Sequence, residues 1–557
     1  MYLGIDVGTG GARAGVFDEG GALLGSGSEA FALYRSAGAL AEYASGEIWQ
    51  AVCAAVKAAL ADASVGASSV SGDQIAGIGF DATCSMVITP GEEAGVATPG
   101  VDVPISINPD ADGVRDSIAW LDHRAVAEAE AINASGAAVL QAVGGRISPE
   151  MQVPKLAWLA KHQPDIIAQA GGFYDLPDWL VHRATGSDVR SLCSLVCKWT
   201  YNGSGIGNGN GNANTNANGN EPGWDAAFFD SLGLGALLAD GANRVGRDVR
   251  APGDLAGHLT AQAAAELGLA DGIPVAVSLI DAHAGALGTL GVAGDSKSAM
   301  ALIAGTSACH IVQTEQAMPV PGVWGPYADV IVQGQWTLEA GQSACGALLD
   351  VLIARHAASA DLPQSGTVHD QLADILQQMA GDGPISALTR ARHVVPDVLG
   401  NRSPLADPSR QGAILGFGLD SGPQDLALDY LAGIQALACG TRHILDQMAE
   451  HGVHPTTIVV SGGLIHNPLL LAETATVTGC QVLVPAASEP VLLGSAMLGA
   501  VASGAQPDLA TAMKAMGGAV AQHVKPDAET PDILQAKYNV FRQMLDDHAT
   551  YAAMMAT

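Results

Sequence analysis

The stretch Asp6-Val-Gly-Thr-Gly-Gly-Ala-Arg13 decides how this chain is read. It follows an apolar, β-prone run, Tyr2 to Ile5, and leads into Arg13-Ala-Gly-Val-Phe-Asp18, which has the pattern of a second strand, then a Glu19-Gly-Gly21 turn. Gly8 and Gly10 match the start of a G-x-G-x-x-G dinucleotide fingerprint, but Arg13 stands where the third glycine belongs. The P-loop pattern GxxxxGK[ST] is absent, and no Gly-Lys pair occurs. The stretch is therefore strand–turn–strand, a β-hairpin whose tip suits phosphate. An ordinary hairpin with a Gly-rich turn is the lesser alternative for this stretch alone.

Three further segments change the balance: Leu279-Ile-Asp-Ala-His-Ala-Gly285, Gly305-Thr-Ser307 and Ser461-Gly-Gly-Leu464. The last two follow apolar runs, Ala299 to Ala304 and Thr457 to Val460. Gly/Thr/Ser turns at strand ends offer close-packed backbone N–H groups and hydroxyls, which suit phosphate oxygens. The strand–Gly-turn–strand pattern at 3–18 recurs at 299–313. Such a duplication predicts two related lobes with a nucleotide in the cleft between them.

The chain has 557 residues, enough for two or three domains, and 48 % are apolar, ample for large cores. With 25 basic against 56 acidic residues, the net charge is −31. That argues against nucleic acid and anionic membranes, which need clustered Lys/Arg, so neither is an expected partner. A phosphate site here must concentrate its few cations or rely on metal and backbone N–H. The first strand begins at residue 2, leaving no basic-then-apolar leader pattern. No apolar run reaches transmembrane length. The eight cysteines are scattered; Cys193 and Cys197 are i,i+4 without a second ligand pair, which argues against zinc and for reduced thiols in the cytoplasm.

Along the chain, Ala41 to Asp62 reads as a helix, and Ile75 to Phe80 as a buried strand ending at Asp81. Trp120 to Ala134 and Lys155 to Ala168 read as helices. Asn202 to Asn220 is a Gly/Asn/Ser tract with almost nothing to bury, expected to be a disordered surface loop. Gln435 to His451, Pro490 to Ser503 and the amphipathic tail Asp532 to Met555 read as further helices.

Several stretches together resemble the FGGY-type carbohydrate kinases of the sugar kinase/Hsp70/actin superfamily. They include IDVGTGGARAGVFD (5–18), GFDATCSM (79–86), SLCSLVCKWTY (191–201), VAVSLIDAHAGALG (275–288), AGTSACHI (304–311), PGVWGPY (321–327), LEAGQSACG (338–346), GNRSPLADPSRQG (400–412), SGGLIHNP (461–468) and LLGSAMLGAV (492–501). The resemblance runs to about residue 501 and is strongest to the pentulose kinases, above all the D-ribulokinase group. Cys84 and Pro321 to Tyr327 carry that lean, while the segment around Lys155 to Trp158 keeps the family pattern only in part. It implies an α/β, two-lobed, ribonuclease H-like fold with the active site in the interlobe cleft. The sugar-binding lobe would be 1–286, and the nucleotide lobe plus a C-terminal helix 287–557. Implied partners are ATP, Mg²⁺ and a pentulose, and a homodimer is compatible with the pattern.

Phosphoryl transfer needs an oriented nucleophile, neutralised phosphates and exclusion of water. Asp281 follows the apolar run Ile273 to Leu279 and is flanked by Ala282 and Ala284. By position alone it is either a helix N-cap or a base that accepts a sugar hydroxyl proton. The resemblance puts the family's catalytic Asp there. His283 could orient it or simply be packed. Asp6 could anchor Mg²⁺, with Asp281 the second candidate metal ligand. Thr9, Gly10 and Arg13 would meet the β/γ-phosphates, and Gly305, Thr306 and Ser307 would grip from the other lobe. Gly462, Gly463 and Asn467 match the adenosine side, with Asn467 able to hydrogen-bond the base. The family's sugar site maps onto Asp81 to Cys84, Lys198, Asp281 and Glu339.

The leading expectation is ATP-dependent phosphorylation of D-ribulose at its terminal 5-hydroxyl. Kinases for L-ribulose, xylulose or ribitol are the near alternatives, and an ATPase or chaperone of the same superfold the distant one. The polyol set Lys198/Asp281/Glu339 separates them, since a chaperone has no use for it. A non-catalytic sugar sensor would lack the catalytic Asp, and Asp281 is present.

Overall fold

A computed structural model describes residues 1–36, 40–64, 70–91, 105–203, 223–294, 296–362, 367–528 and 531–555. The Gly/Asn-rich tract lies, from residue 204 onward, outside the described residues.

Strand Tyr2–Val7 pairs antiparallel with Gly11–Phe17 and parallel with Gly77–Ala82. Around this trio a seven-stranded sheet extends to Leu23–Ala30 on one side and to Pro274–Ala276 and Leu255–His258 on the other. Because side chains alternate across a strand, Tyr2–Val7 serves two faces. Leu3, Ile5 and Val7 enter one core with Ile48, Val52 and Val56 of the helix Ser45–Ala63. Gly4 on the other face meets the helix Pro490–Ala502.

The second sheet repeats this plan. Strand Ala299–Ala304 pairs antiparallel with Ala308–Thr314 and parallel with Thr457–Ser461. Its seven strands run from Trp324–Ala328 to Val520–Val524. The α/β fold expected of the superfamily is present, with one glycine-tipped hairpin on each sheet.

The helix Pro490–Ala502 binds the two halves together. A Cβ on Gly79 would lie 1.9 Å from Ser495 O, and one on Gly4 2.0 Å from Leu492 O, so this helix rests directly on the first sheet's backbone. Its other side meets the helix Asp281–Leu290, where a Cβ on Gly494 would lie 2.0 Å from Ala284 O. No side chain separates the chains at these points. Gly79→Ala must displace backbone rather than a flexible side chain. Overpacking typically costs about 1–3 kcal/mol, and a backbone clash belongs at the upper end. The expected outcome is a clear fall in melting temperature; an unchanged value would contradict this packing.

Some elements depart from the sequence reading. Residues Leu40–Tyr43 are a strand, paired with Ser117–Ile118, and the helix starts only at Ser45. The helix expected from Trp120 starts at Val126, because the Asp122 carboxylate organises the preceding turn by accepting from Ala41 N and Arg124. The helix from Lys155 stops at His162 before Pro164 opens a new one. The helix expected over 435–451 spans Pro423–Ala449. Among the described residues no helix is long and apolar enough to cross a membrane.

Candidate active site

A cleft of about 520 Å³ opens between the two hairpin tips. From the first sheet come Asp6, Thr9, Arg13 and Cys84, and from the second Gly305, Thr306, Ser307 and Glu339. Lys198, Asp281, Gly462 and Gly463 complete the predicted set that lines it.

Both hairpin turns are fixed from behind. Gly8 N donates to Gly11 O at 3.0 Å, Tyr43 OH donates to Thr9 O at 2.8 Å, and Trp120 Nε1 donates to Thr9 Oγ1 at 3.0 Å. On the other side Gly305 N donates to Ser307 O, and Cys345 N to Thr306 O. A Cβ on Gly463 would meet nothing within 4 Å, and one on Gly305 only Ser307 O at 3.9 Å. The backbone there faces open space that a polyphosphate can occupy. Gly462 has φ 90° and lies against Ala304 O, so only glycine fits.

Asp281 is the first residue of the helix Asp281–Leu290, a favourable place for a carboxylate. Its Oδ1 accepts from Ala282 N at 2.7 Å, which fixes the group's direction. Burial, and then the nearby charge of Asp6, push the Asp281 carboxyl up to about 6. Asp6 itself is bound by Arg13 Nε at 2.8 Å. Arg13 also pairs with Glu489 at 3.1 Å, so it reaches the cleft inside an ion-pair network rather than as a free cation. Two carboxylates, Asp6 and Asp281, beside open glycine backbone are oxygen donors of the kind Mg²⁺ takes alongside phosphate.

Lys198 and Glu339 form a buried pair, Nζ to Oε1 3.5 Å, both side chains about 5 % exposed (6 % and 5 %). Burial opposes both charges, yet each holds the other ionised, and His283 and Arg402 add to the pull on Glu339. Lys198 Nζ also lies 4.7 Å from the centre of the Trp324 ring. His283 does not orient Asp281. It is fully buried, with Nε2 3.7 Å from Glu339 Oε2 and Nδ1 3.1 Å from Cys193 Sγ.

Three predicted residues stand elsewhere. Asp81, the register partner of Asp6 on the adjacent parallel strand, is wholly buried and accepts from Ser495 Oγ; burial and Asp6 push its carboxyl well above its ordinary range. It supports the floor and does not line the cleft. Asn467 is spent as a helix cap: its Oδ1 accepts from Leu470 N, and its Nδ2 donates to Tyr430 OH. It is not among the residues that line the cleft. Gly10 sits at the exposed hairpin tip, outside the lining.

Sequence reasoning assigned no role to Trp120, Glu150, Trp324 or Arg402, which also line the cleft. Arg402 lies 3.6 Å from Glu150 and 5.7 Å from the Trp324 ring centre. It falls inside the quoted stretch 400–412, but nothing in its local spacing marks it as reaching a site built elsewhere.

Two family patterns match the chain: the N-terminal domain of the FGGY carbohydrate kinases over residues 1–288 and the C-terminal domain over 300–503. The chain belongs to the FGGY family of carbohydrate kinases. It is thus an ATP-dependent sugar kinase. An FGGY carbohydrate kinase domain-containing protein of Danio rerio is 40 % identical to this kinase, over 100 % of the chain and 99 % of the relative. A D-ribulokinase of Saccharomyces cerevisiae is 35 % identical, over 90 % of this kinase and 72 % of the relative. Among solved structures, a xylulose kinase from Rhodospirillum rubrum superposes with TM-score 0.75 at 20 % identity, covering 99 % of each chain. A gluconate kinase from Lactobacillus acidophilus gives 0.76 at 17 %, again with 99 % of each covered. These two establish the fold of this kinase.

Proposed function

We propose that this kinase transfers a phosphoryl group from ATP to the terminal 5-hydroxyl of a pentulose, D-ribulose before the others. The observation that carries the proposal is the Asp281 carboxylate, directed by Ala282 N, in a cleft shared by two phosphate-type turns and a buried Lys198–Glu339 pair. Asp281 takes the proton of the sugar hydroxyl as that oxygen attacks. Lys198 and Glu339 present donors and an acceptor to the polyol. A buried polar group left unpaired is costly, which makes such a pair selective for hydroxyl-rich substrates. Thr9, Gly305, Thr306 and Ser307 hold the phosphates through N–H and hydroxyl groups, and Gly462 and Gly463 leave room for the nucleoside. Mg²⁺, held by Asp6 or Asp281, would supply charge neutralisation on the phosphates.

The two lobes, 1–286 and 287–557, would contribute sugar and nucleotide contacts respectively and close over both. The reducing cytoplasm is the compartment we assign. Preference for D-ribulose is supported by the similarity to the yeast D-ribulokinase.

ADP release is measured with and without each of D-ribulose, L-ribulose, D-xylulose and ribitol. The expected result is strong stimulation over the sugar-free rate, largest with D-ribulose. Water must be kept out for sugar to control turnover in this way. A larger response to L-ribulose or xylulose would replace the substrate and keep the class. Equal turnover with and without every sugar would favour an ATPase.

A further inference from the structure

Behind the sugar-facing pair lies a second cluster that phosphoryl transfer does not use. Cys193 and Cys197 sit one turn apart on the helix Leu192–Lys198, so their side chains share a face. The Ser191 side chain caps that helix at Cys193 N and fixes its start. His283 arrives from the Asp281–Leu290 helix, 90 residues from Cys193. The two sulfurs and an imidazole nitrogen all lie within 4.8 Å of one another, and all three residues are buried. Neither a spacing rule nor a local motif could supply that third group.

The histidine's two nitrogens face different partners. Nδ1 points at Cys193 Sγ, and Nε2 faces Glu339 Oε2. Nε2 and Oε2 are both buried without a hydrogen bond. A histidine that ligates through one nitrogen characteristically directs its other N–H to a carboxylate, which sets its tautomer and orientation. That carboxylate is already in place here. Charge also balances. Lys198 and Glu339 neutralise each other, so two thiolates are left to compensate one divalent cation. Thiolate and imidazole donors select zinc-class ions rather than magnesium or calcium. Among the described residues the other cluster of this kind, His356, Asp425 and Asp429, already holds the Arg392 guanidinium against both carboxylates.

We propose that Cys193 Sγ, Cys197 Sγ and His283 Nδ1 form a buried binding site for one zinc-class divalent cation. Binding converts two thiols to thiolates and releases their two protons. The ion fixes the His283 ring and so holds Glu339 in its place opposite Lys198. It touches neither the sugar nor the phosphates, so its presence is read independently of the kinase reaction.

The test uses the full chain without a histidine tag, expressed with zinc, then stripped with chelator and titrated with Co²⁺. Elemental analysis should find about one zinc per chain before stripping. Cobalt should produce thiolate-to-metal charge-transfer absorption that saturates near one equivalent and is erased by zinc. Cys197→Ala should abolish that absorption, Cys197→His should restore cation uptake with one sulfur fewer, and Cys53→Ser should change nothing. Far-below-stoichiometric zinc together with no charge-transfer band in the wild-type chain would overturn the proposal, whether or not the variants fold. A band of full intensity in a folded Cys193→Ser/Cys197→Ser double variant would overturn it as well.

Discussion

Replacing Asp281 by Asn lowers sugar phosphorylation by about 10²–10⁴-fold, the usual worth of a positioned base. The loss should fall on kcat, with binding of a non-hydrolysable ATP analogue nearly unchanged, because the phosphate turns are anchored by other residues. The amide keeps the size of the side chain and can still accept from Ala282 N, so a folding defect is not the expected cause. The wild-type pH profile gives the same group a second signature. Burial and Asp6 raise the Asp281 carboxyl to about 6, and only the ionised form can take a proton. Activity should therefore be full above that value and decline as pH falls through it. A variant that keeps more than half of wild-type turnover would remove Asp281 from the role of base.

The second large effect concerns the buried pair. Lys198→Met leaves the nearly buried Glu339 carboxylate without its main counter-charge. Removing one partner of a buried ion pair costs about 3–5 kcal/mol. The melting temperature should drop, and the KM for sugar should rise far more than the KM for ATP. The double variant Lys198→Met/Glu339→Gln removes both charges and should regain most of the stability without regaining sugar use. That split separates a polyol-binding role from a structural one. A double variant that phosphorylates the sugar normally would show that the pair only props up the fold.

Much of this molecule was legible from its chain. The two glycine-tipped hairpins announced themselves because a strand–turn–strand pattern is local: apolar runs, Gly and Thr fall in order within some fifteen residues. Position alone left Asp281 open between a helix N-cap and a base, and it was the family resemblance that placed it in the site. What failed was long-range. Asp81 and Asp6 both end strands at the same register, yet only Asp6 reaches the cleft, since Ser495 from a distant helix covers Asp81. The Tyr430 partner of Asn467 sits on another helix, beyond the reach of a local pattern. His283 was left between orienting Asp281 and mere packing. Its actual neighbours, Cys193 and Glu339, are 90 and 56 positions away (339 − 283 = 56). Arg402 carries no local signal at all, and only tertiary packing brings it to Trp324.

The seam where Pro490–Ala502 meets the first sheet has a consequence for how such an enzyme can diversify. Ordinary packing contacts drift by exchange, with a larger side chain on one side answered by a smaller one opposite. At Gly4 and Gly494 there is no side chain to trade, because each faces main-chain atoms. An added methyl there has no complementary deletion available. The spacing of sheet and helix is consequently frozen, and with it the floor from which Asp6 and Asp281 rise. Innovation in substrate choice is thereby channelled to the cleft's walls, to positions such as Cys84, Trp324 and Arg402, where side chains alone decide what fits.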